Sequence, residues 1–328
     1  MLPGNSRDYT VLKRSDETST GRYGYDPDKR PISMLLASSY VNLDKPPGPT
    51  SHEASEYVKR ILKQRKAGHS GTLDPKVTGV LPTGVGKATK LNELMLSVGK
   101  EYVGIMHLHN FIADPLLEAA VAKYTGKIRQ LPPVKSAVRR EPRTRTVYYF
   151  EILERDRNAV LFRVGVEAGT YIRKLIHDLG SYVSVGAHMG DLRRTRSGPF
   201  REEDAVILQD LREAYTLYEK EGDESMLRSY LLPPERAIVH VPKMYVSDYA
   251  VASLTHGSYL AIPGVIRIDS DIKAGMRVAL MSLRGEIIGY GNARMDAEAM
   301  LVAESGIAAT PDAILMEQGS YPTRGGSA

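Results

Sequence analysis

The sequence holds no cysteine in 328 residues. A chain of this length without disulfides or thiolate–metal staples must hold itself together by burying apolar side chains alone, in about two domains. The same absence excludes thiolate zinc sites, iron–sulfur clusters and a Cys nucleophile, and it points to a reducing compartment. Hydrophobic residues at 42% and charged residues at 25% suit an ordinary globular protein. No stretch approaches the ~18 apolar residues of a membrane span, and Met1 to Asp44 carries no apolar secretory run, so the expectation is a soluble, cytoplasmic protein. Lys and Arg number 44 against 39 acids, a formal charge of +5 that suits a polyanionic partner. Trp is absent and four Phe accompany nineteen Tyr, so aromatic recognition has to use Tyr.

Residues up to about Arg30 are polar and lack an apolar period, which reads as an extended arm. A strand-like Tyr40-Val41-Asn42-Leu43 leads into Asp44-Lys45-Pro46-Pro47-Gly48-Pro49-Thr50, where the prolines forbid regular structure. Thr50 and Glu53 fit a capping box, and Ala54, Tyr57, Val58, Ile61 and Leu62 fall on one face of the helix that follows. Strands are expected at Tyr102 to Leu108 and Val160 to Val166, and helices near Pro115 to Tyr124 and Tyr171 to Val183. This is an α+β pattern with mostly antiparallel pairing. Leu231-Leu232-Pro233-Pro234 marks a candidate boundary. Short β-like runs beyond it, from Met244 to Tyr290, suggest a small β-barrel.

Several segments carry chemistry. In Gly68-His69-Ser70-Gly71-Thr72-Leu73-Asp74-Pro75 the proline holds Asp74 out of the α region, so its carboxylate is presented from a loop; an ordinary Asp-Pro turn is an equally open reading. Gly84-Val85-Gly86-Lys87-Ala88-Thr89 fails as a phosphate loop, with Leu81 where the first Gly is needed and Ala88 where Ser or Thr is needed. His107 and His109 would share a strand face, a metal pair on one reading and two surface imidazoles on the favoured one.

Lys127, Arg129, Lys135, Arg139, Arg140, Arg143 and Arg145 form a one-signed run broken by prolines, expected to be an irregular exposed loop that closes over a phosphate backbone. Arg193, Arg194, Arg196 and Arg201 are expected to extend that surface. Thr170 is expected to open a helix whose first turn holds Arg173 and Lys174, cations that oppose the helix dipole. Such a breach of local rules marks a residue held for a partner, and a carboxylate is the natural one for Arg173.

Taken in order, Lys45-Pro46-Pro47-Gly48-Pro49-Thr50-Ser51, Gly68 through Pro75, Lys100-Glu101-Tyr102, Tyr171-Ile172-Arg173, Gly186-Ala187-His188-Met189 and Leu192 through Gly198 resemble the TruB-type RNA pseudouridine synthases. The likeness is to their archaeal and eukaryotic guide-RNA branch, the dyskerin-like enzymes. It implies a mixed, mostly antiparallel α+β catalytic domain over 37–236, a PUA RNA-binding domain over 237–322, and an N-terminal extension over 1–36 packing along the latter.

The resemblance makes Asp74 the essential aspartate, Tyr102 the aromatic that packs on the target base, and Arg173 the residue that orients the acid. Leu192 would line the uridine pocket. Lys45 and His69 would support the loop or contact RNA. Lys135, Arg139, Arg140, Arg143 and Arg145, with Thr255, His256 and Gly257 of the PUA-like turn, would bind RNA. The partners implied are an H/ACA guide RNA, a target RNA and small H/ACA core proteins, with no cofactor and no metal. Guide-independent tRNA modification and a non-catalytic RNA scaffold are the alternatives.

Overall fold

A computed structural model describes Leu2 and residues 7–132 and 141–323. The chain divides into two units, one built on 41–83 and 92–230 and the other on 7–40, 84–91 and the residues from Leu231 onward.

The first unit carries a mixed sheet. Its main path runs Ser38–Lys45, Thr78–Gly86, Ala187–Ser197, Lys100–Leu108, Ala159–Val166, Arg143–Asp156 and Gly126–Gln130. Ala187–Ser197, Lys100–Leu108, Ala159–Val166, Arg143–Asp156 and Gly126–Gln130 pair antiparallel in turn, whereas Thr78 and Gly79 lie parallel to Arg193 and Arg194. Strand Lys100–Leu108 alternates between buried and half-buried residues along its whole length, which sends every second side chain to one face.

Helices Ser51–Ile61 and Ile172–Tyr182 are amphipathic, and the second buries Ile172, Leu175, Ile176 and Leu179. The first opens on a complete capping box: Thr50 Oγ1 accepts from the Glu53 N–H while Glu53 accepts from the Thr50 N–H.

Gly79 makes the parallel pairing possible. Its φ is +99°, and a Cβ there would come within 2.2 Å of the Arg194 carbonyl oxygen.

The second unit is a seven-stranded sheet in the order Val11–Lys13, Val265–Asp269, Lys243–Val246, Arg277–Ser282, Ile287–Ala293, Ile307–Ile314 and Leu260–Ala261. It surrounds a core of Met244, Val246, Val251, Ile262, Ile268, Leu280, Ile288 and Met300. The N-terminal arm is ordered by pairing, with Val11 opposite Asp269 and Lys13 opposite Arg267. Arg14 donates to the carbonyls of Met300, Ile262 and Ala303. Among the described residues no helix is long and apolar enough to cross a membrane.

Two local expectations need correction. The basic run is not an irregular loop where it is described: Gly126–Gln130 pairs with Arg143–Asp156, placing Arg129 opposite Thr144 and Ile128 opposite Arg145. Lys135, Arg139 and Arg140 lie outside the described residues. The second helix begins at Ile172 with Tyr171 as its cap residue. Thr170 instead turns its hydroxyl to the Glu167 carbonyl at 2.7 Å. Gln130 holds the Tyr171 backbone, accepting from its N–H at 3.1 Å and donating to its carbonyl at 3.2 Å.

Candidate active site

A cleft of about 590 Å³ opens in the first unit, and its lining includes Asp74, Lys100, Tyr102, Arg173, Leu192 and Arg194. Four segments far apart in sequence supply these side chains: the Gly71–Asp74 loop, the first turns of strand Lys100–Leu108, the start of helix Ile172–Tyr182, and strand Ala187–Ser197.

The loop carrying Asp74 is tied down at nearly every residue. Ser51, the first residue of its helix, donates its hydroxyl to the Leu73 carbonyl at 3.0 Å and accepts from the Leu73 N–H at 2.8 Å. Lys45 donates to the carbonyls of Pro46, Pro75 and Val77 at 2.9, 3.0 and 3.0 Å. The Gly48 N–H also reaches Pro75, and the Val77 N–H closes a turn on the Asp74 carbonyl, both at 3.0 Å. Arg194 donates to the Gly71 carbonyl at 2.9 Å and, through Nε, to that of Val80 at 2.7 Å.

The Asp74 backbone is therefore fixed while its carboxylate, half exposed, projects into the cleft. There Arg173 Nη2 donates to Asp74 Oδ2, an ion pair formed across 99 residues of sequence. This contact supplies the carboxylate that a cation in the first turn of a helix calls for.

Tyr102 is 8% exposed, and its hydroxyl is hydrogen-bonded to the buried Arg194 guanidinium. Leu192 packs beside it, opposite Gly104 in the strand register, where a Cβ would come within 2.7 Å of Leu192 Cδ1.

His69 stands behind the loop rather than in the cleft lining. Its Nδ1 lies 3.1 Å from Ser55 Oγ and its Nε2 3.3 Å from Thr72 Oγ1. Ser55 already donates to the Ser51 carbonyl, so Nδ1 carries the proton toward Ser55. Burial, with the Arg194 and His52 charges adding to it, pulls the imidazole below its ordinary value and favours this neutral form.

Lys45 does not touch the cleft. It is fully buried, with all three protons committed to carbonyls of the Pro46 and Pro75–Val77 segments. The arginine cluster is likewise not a continuous RNA surface. Arg194 is fully buried. Arg193 is held by both oxygens of Asp44 at 2.9 Å and by Glu202 at 2.8 Å.

On the hairpin, Arg145 lies 3.3 Å from Glu167, and both Arg143 and Arg145 are half-buried. In the other unit, Thr255 ends the helix Asp248–Thr255, buried, with its hydroxyl donating to the Ala252 carbonyl at 2.8 Å. His256 and Gly257 are exposed beyond it, Gly257 with φ +86°.

His107 and His109 are joined by His188. The His107 and His188 rings stack with centroids 5.2 Å apart, and His109 Nε2 lies 3.1 Å from His188 Nδ1. No group of three or more His, Asp or Glu among the described residues is arranged to hold a metal ion.

Sequence reasoning did not assign Ser51, Lys100 or Arg194 to the site. Each belongs to a segment that it did single out, but their burial is set by contacts with distant segments.

Models of four known families together match most of the chain between residues 5 and 315. They are the TruB family pseudouridylate synthase N-terminal domain over residues 59–172, the tRNA pseudouridylate synthase B C-terminal domain over 173–239, the PUA domain over 242–315 and the DKCLD (NUC011) domain over 5–55. A protein of Pyrococcus abyssi named "Probable tRNA pseudouridine synthase B" is 46% identical over 323 residues, 98% of this chain and 97% of that one. A Methanosarcina barkeri protein of the same name is 48% identical over 312 residues, 95% of this chain and 92% of that one. Among solved structures, a chain of a Cbf5-Nop10-Gar1 complex superposes with a TM-score of 0.94 at 46% identity over 98% of both chains. A chain of an H/ACA RNP bound to a substrate RNA containing 2'-deoxyuridine superposes with a TM-score of 0.91 at 44% identity, covering 98% of this chain and 99% of that one.

Proposed function

Because the chain belongs to the TruB family of pseudouridylate synthases, we propose that it isomerises uridine in RNA to pseudouridine as the catalytic subunit of an H/ACA guide ribonucleoprotein, with Asp74 as the essential acid. The observation that carries this reading is a half-exposed carboxylate on a pinned loop, paired with Arg173 in a cleft that also holds Tyr102.

The reaction breaks the bond from N1 to C1′, lets the uracil turn, and joins C5 to the same carbon. Nothing is oxidised, and no water is consumed. A glycosidase needs two carboxylates because one must activate water; here the base is both leaving group and returning nucleophile, so one suffices. Asp74 attacks C1′, stabilises an oxocarbenium-like sugar, or takes a sugar proton on the way to a glycal; each role needs the ionised, oriented carboxylate that Arg173 holds. The uridine leaves its stack to reach the acid, and Tyr102 offers a replacement face beside the Leu192 side chain.

The guide-dependent branch is favoured by the 98% coverage shared with the Cbf5 complex. In this reading 37–236 form the catalytic domain, 237–322 the PUA domain that grips guide RNA through His256 and Gly257, and 1–36 an extension bound to it. Small H/ACA core proteins complete the particle, Arg143 and Arg145 contact RNA phosphates, and the work is done in the cytoplasm. The name of the Pyrococcus and Methanosarcina relatives favours a second reading, guide-independent modification of tRNA.

Reconstitution with a guide RNA and a uridine-containing target, scored by base-resolved pseudouridine mapping, tests both. Product only with the guide supports the first reading, and product from protein and tRNA alone supports the second. The Asp74→Asn protein is expected to bind RNA and make no product; product from that variant overturns the assignment of Asp74.

A further inference from the structure

Lys45, Lys100 and Arg194 lie beneath the Asp74 loop and are at most 6% exposed. Among the described residues none of them is paired with a carboxylate; their protons go to main-chain carbonyls and to one phenol. Lys100 Nζ donates to Leu96 O at 3.2 Å and Val98 O at 2.7 Å. Its Cε sits 3.1 Å from where a Cβ on Gly71 would be, and Arg194 Nη1 sits 3.3 Å from the same point. Two cations thus stand side by side under the loop, and both line the cleft that Asp74 and Tyr102 share.

Burying an unpaired charge is costly; Lys45 bears that cost to pin the loop, but Lys100 and Arg194 also border the cleft, where their charge can act on a bound group. Burial first, and the Arg194 charge after it, bring the Lys100 ammonium down to about 7. At and below about pH 7, where Lys100 still carries its proton, the cleft gains a positive field in a low-dielectric wall.

We propose that Lys100 and Arg194 form a positive floor that stabilises the uracil anion between its detachment from C1′ and its reattachment through C5. The inference rests on the uridine-isomerisation reading and names the charge which that reaction must stabilise. When the C1′–N1 bond breaks, its electron pair stays on N1 and spreads to the ring oxygens, while the sugar carbon becomes electron-poor and is met by Asp74. After the ring turns, a pair from C5 forms the new C5–C1′ bond, the C5 proton leaves, and N1 takes up a proton. Atoms and electrons balance with no co-reactant. The floor neither gives nor takes electrons; it lowers the energy of the separated base, and it requires no reorganisation because its cations are already held by carbonyls.

The test uses the full chain assembled with guide RNA and core proteins, under single-turnover conditions below pH 7, where Lys100 holds its proton. Two targets differ only in carrying uridine or 5-fluorouridine at the modified site. Fluorine withdraws electrons, so a detached 5-fluorouracil anion needs less help from the protein. Lys100→Met removes the charge and keeps the length, Lys100→Gln keeps neutral donors for the carbonyls, and Lys100→Arg keeps the charge.

Loss of glycosidic cleavage of roughly 100-fold is expected for the uridine target with Met or Gln, roughly 10-fold for 5-fluorouridine, and a few-fold at most with Arg. Melting curves and target-RNA affinities of each variant separate folding and binding from chemistry, and the Gln variant carries the comparison if the Met variant melts early. Equal slowing of both targets, or no slowing in a folded variant, overturns the floor while leaving the parent reading intact. No product from the unmodified assembly overturns the parent reading and the floor with it.

Discussion

Lys100→Met should change how the stability of the protein depends on pH. In the folded protein burial and the Arg194 charge bring the Lys100 ammonium from 10.5 to about 7. Between those two values the unfolded chain holds a proton that the folded chain has released, so native stability rises with pH across that window. Below about 7 both states are protonated and the folded protein bears the full cost of the buried charge; above 10.5 neither is protonated and the cost is gone. At about 1.4 kcal/mol per pH unit the drop caps the effect near 5 kcal/mol, and relaxation around the ammonium leaves roughly 2–5 kcal/mol.

Methionine has no proton to bind, so the variant lacks this term. The quantity to measure is the difference in melting temperature between variant and native protein from pH 7 to pH 10. Subtraction cancels Lys45 and Lys243, also pulled down by burial, which titrate alike in both proteins. The two carbonyls that lose their donor cost the variant the same at every pH. The variant should lose roughly 5–15 °C against native on going from pH 7 to pH 10, at roughly 2–4 °C per kcal/mol for a unit of this size. A difference that stays level within about 1 °C would refute the claim that Lys100 is held as a strained buried cation, and the positive floor would lose its physical basis.

Gly79→Ala should cost at least about 3 kcal/mol, seen as a large fall in melting temperature or in folded yield, because the new Cβ would meet the Arg194 carbonyl at 2.2 Å in a backbone conformation of φ +99°. Arg173→Lys should leave the melting temperature within about 2 °C, since both partners of its ion pair are half exposed or more, and should slow single-turnover product formation roughly 100-fold by loosening the carboxylate. Arg143→Glu combined with Arg145→Glu should weaken binding to unrelated RNA sequences alike and flatten the logarithmic salt dependence of affinity by about 1–2; an unchanged slope removes both residues from the phosphate contacts.

The parts of the fold that were legible in the sequence are those fixed by near neighbours. The capping box at Thr50 and Glu53 needs only residues three apart, and the run Tyr102 to Leu108 shows as a strand through its Tyr, Val and Ile. The start of the second helix was misread at Thr170 for the complementary reason. The Tyr171 backbone that leads into it is held by Gln130, 41 residues away, and no local rule can see that contact. The hairpin Gly126–Gln130 with Arg143–Asp156 was hidden because its charged residues stand where an apolar period would be sought, and the prolines nearby fall between the strands rather than within them.

The candidate site shows the same division at closer range. Arg173 could be expected to seek an acid because a cation in a first helical turn works against the dipole, and the fold brings it Asp74. Nothing local distinguishes Arg193 from Arg194, yet one lies between Asp44 and Glu202 near the surface and the other is fully buried. What separates them is the pleat, which sends adjacent side chains to opposite faces, and Gly79, whose missing Cβ lets its strand approach the Arg194 backbone. An acid needs only a loop to be displayed, whereas buried Arg194 needs the carbonyls of Gly71 and Val80, more than a hundred residues away. The functional charges of this cleft therefore divide into Asp74 and Arg173, which local sequence reveals, and Lys100 and Arg194, whose place under the loop only the assembled sheet explains.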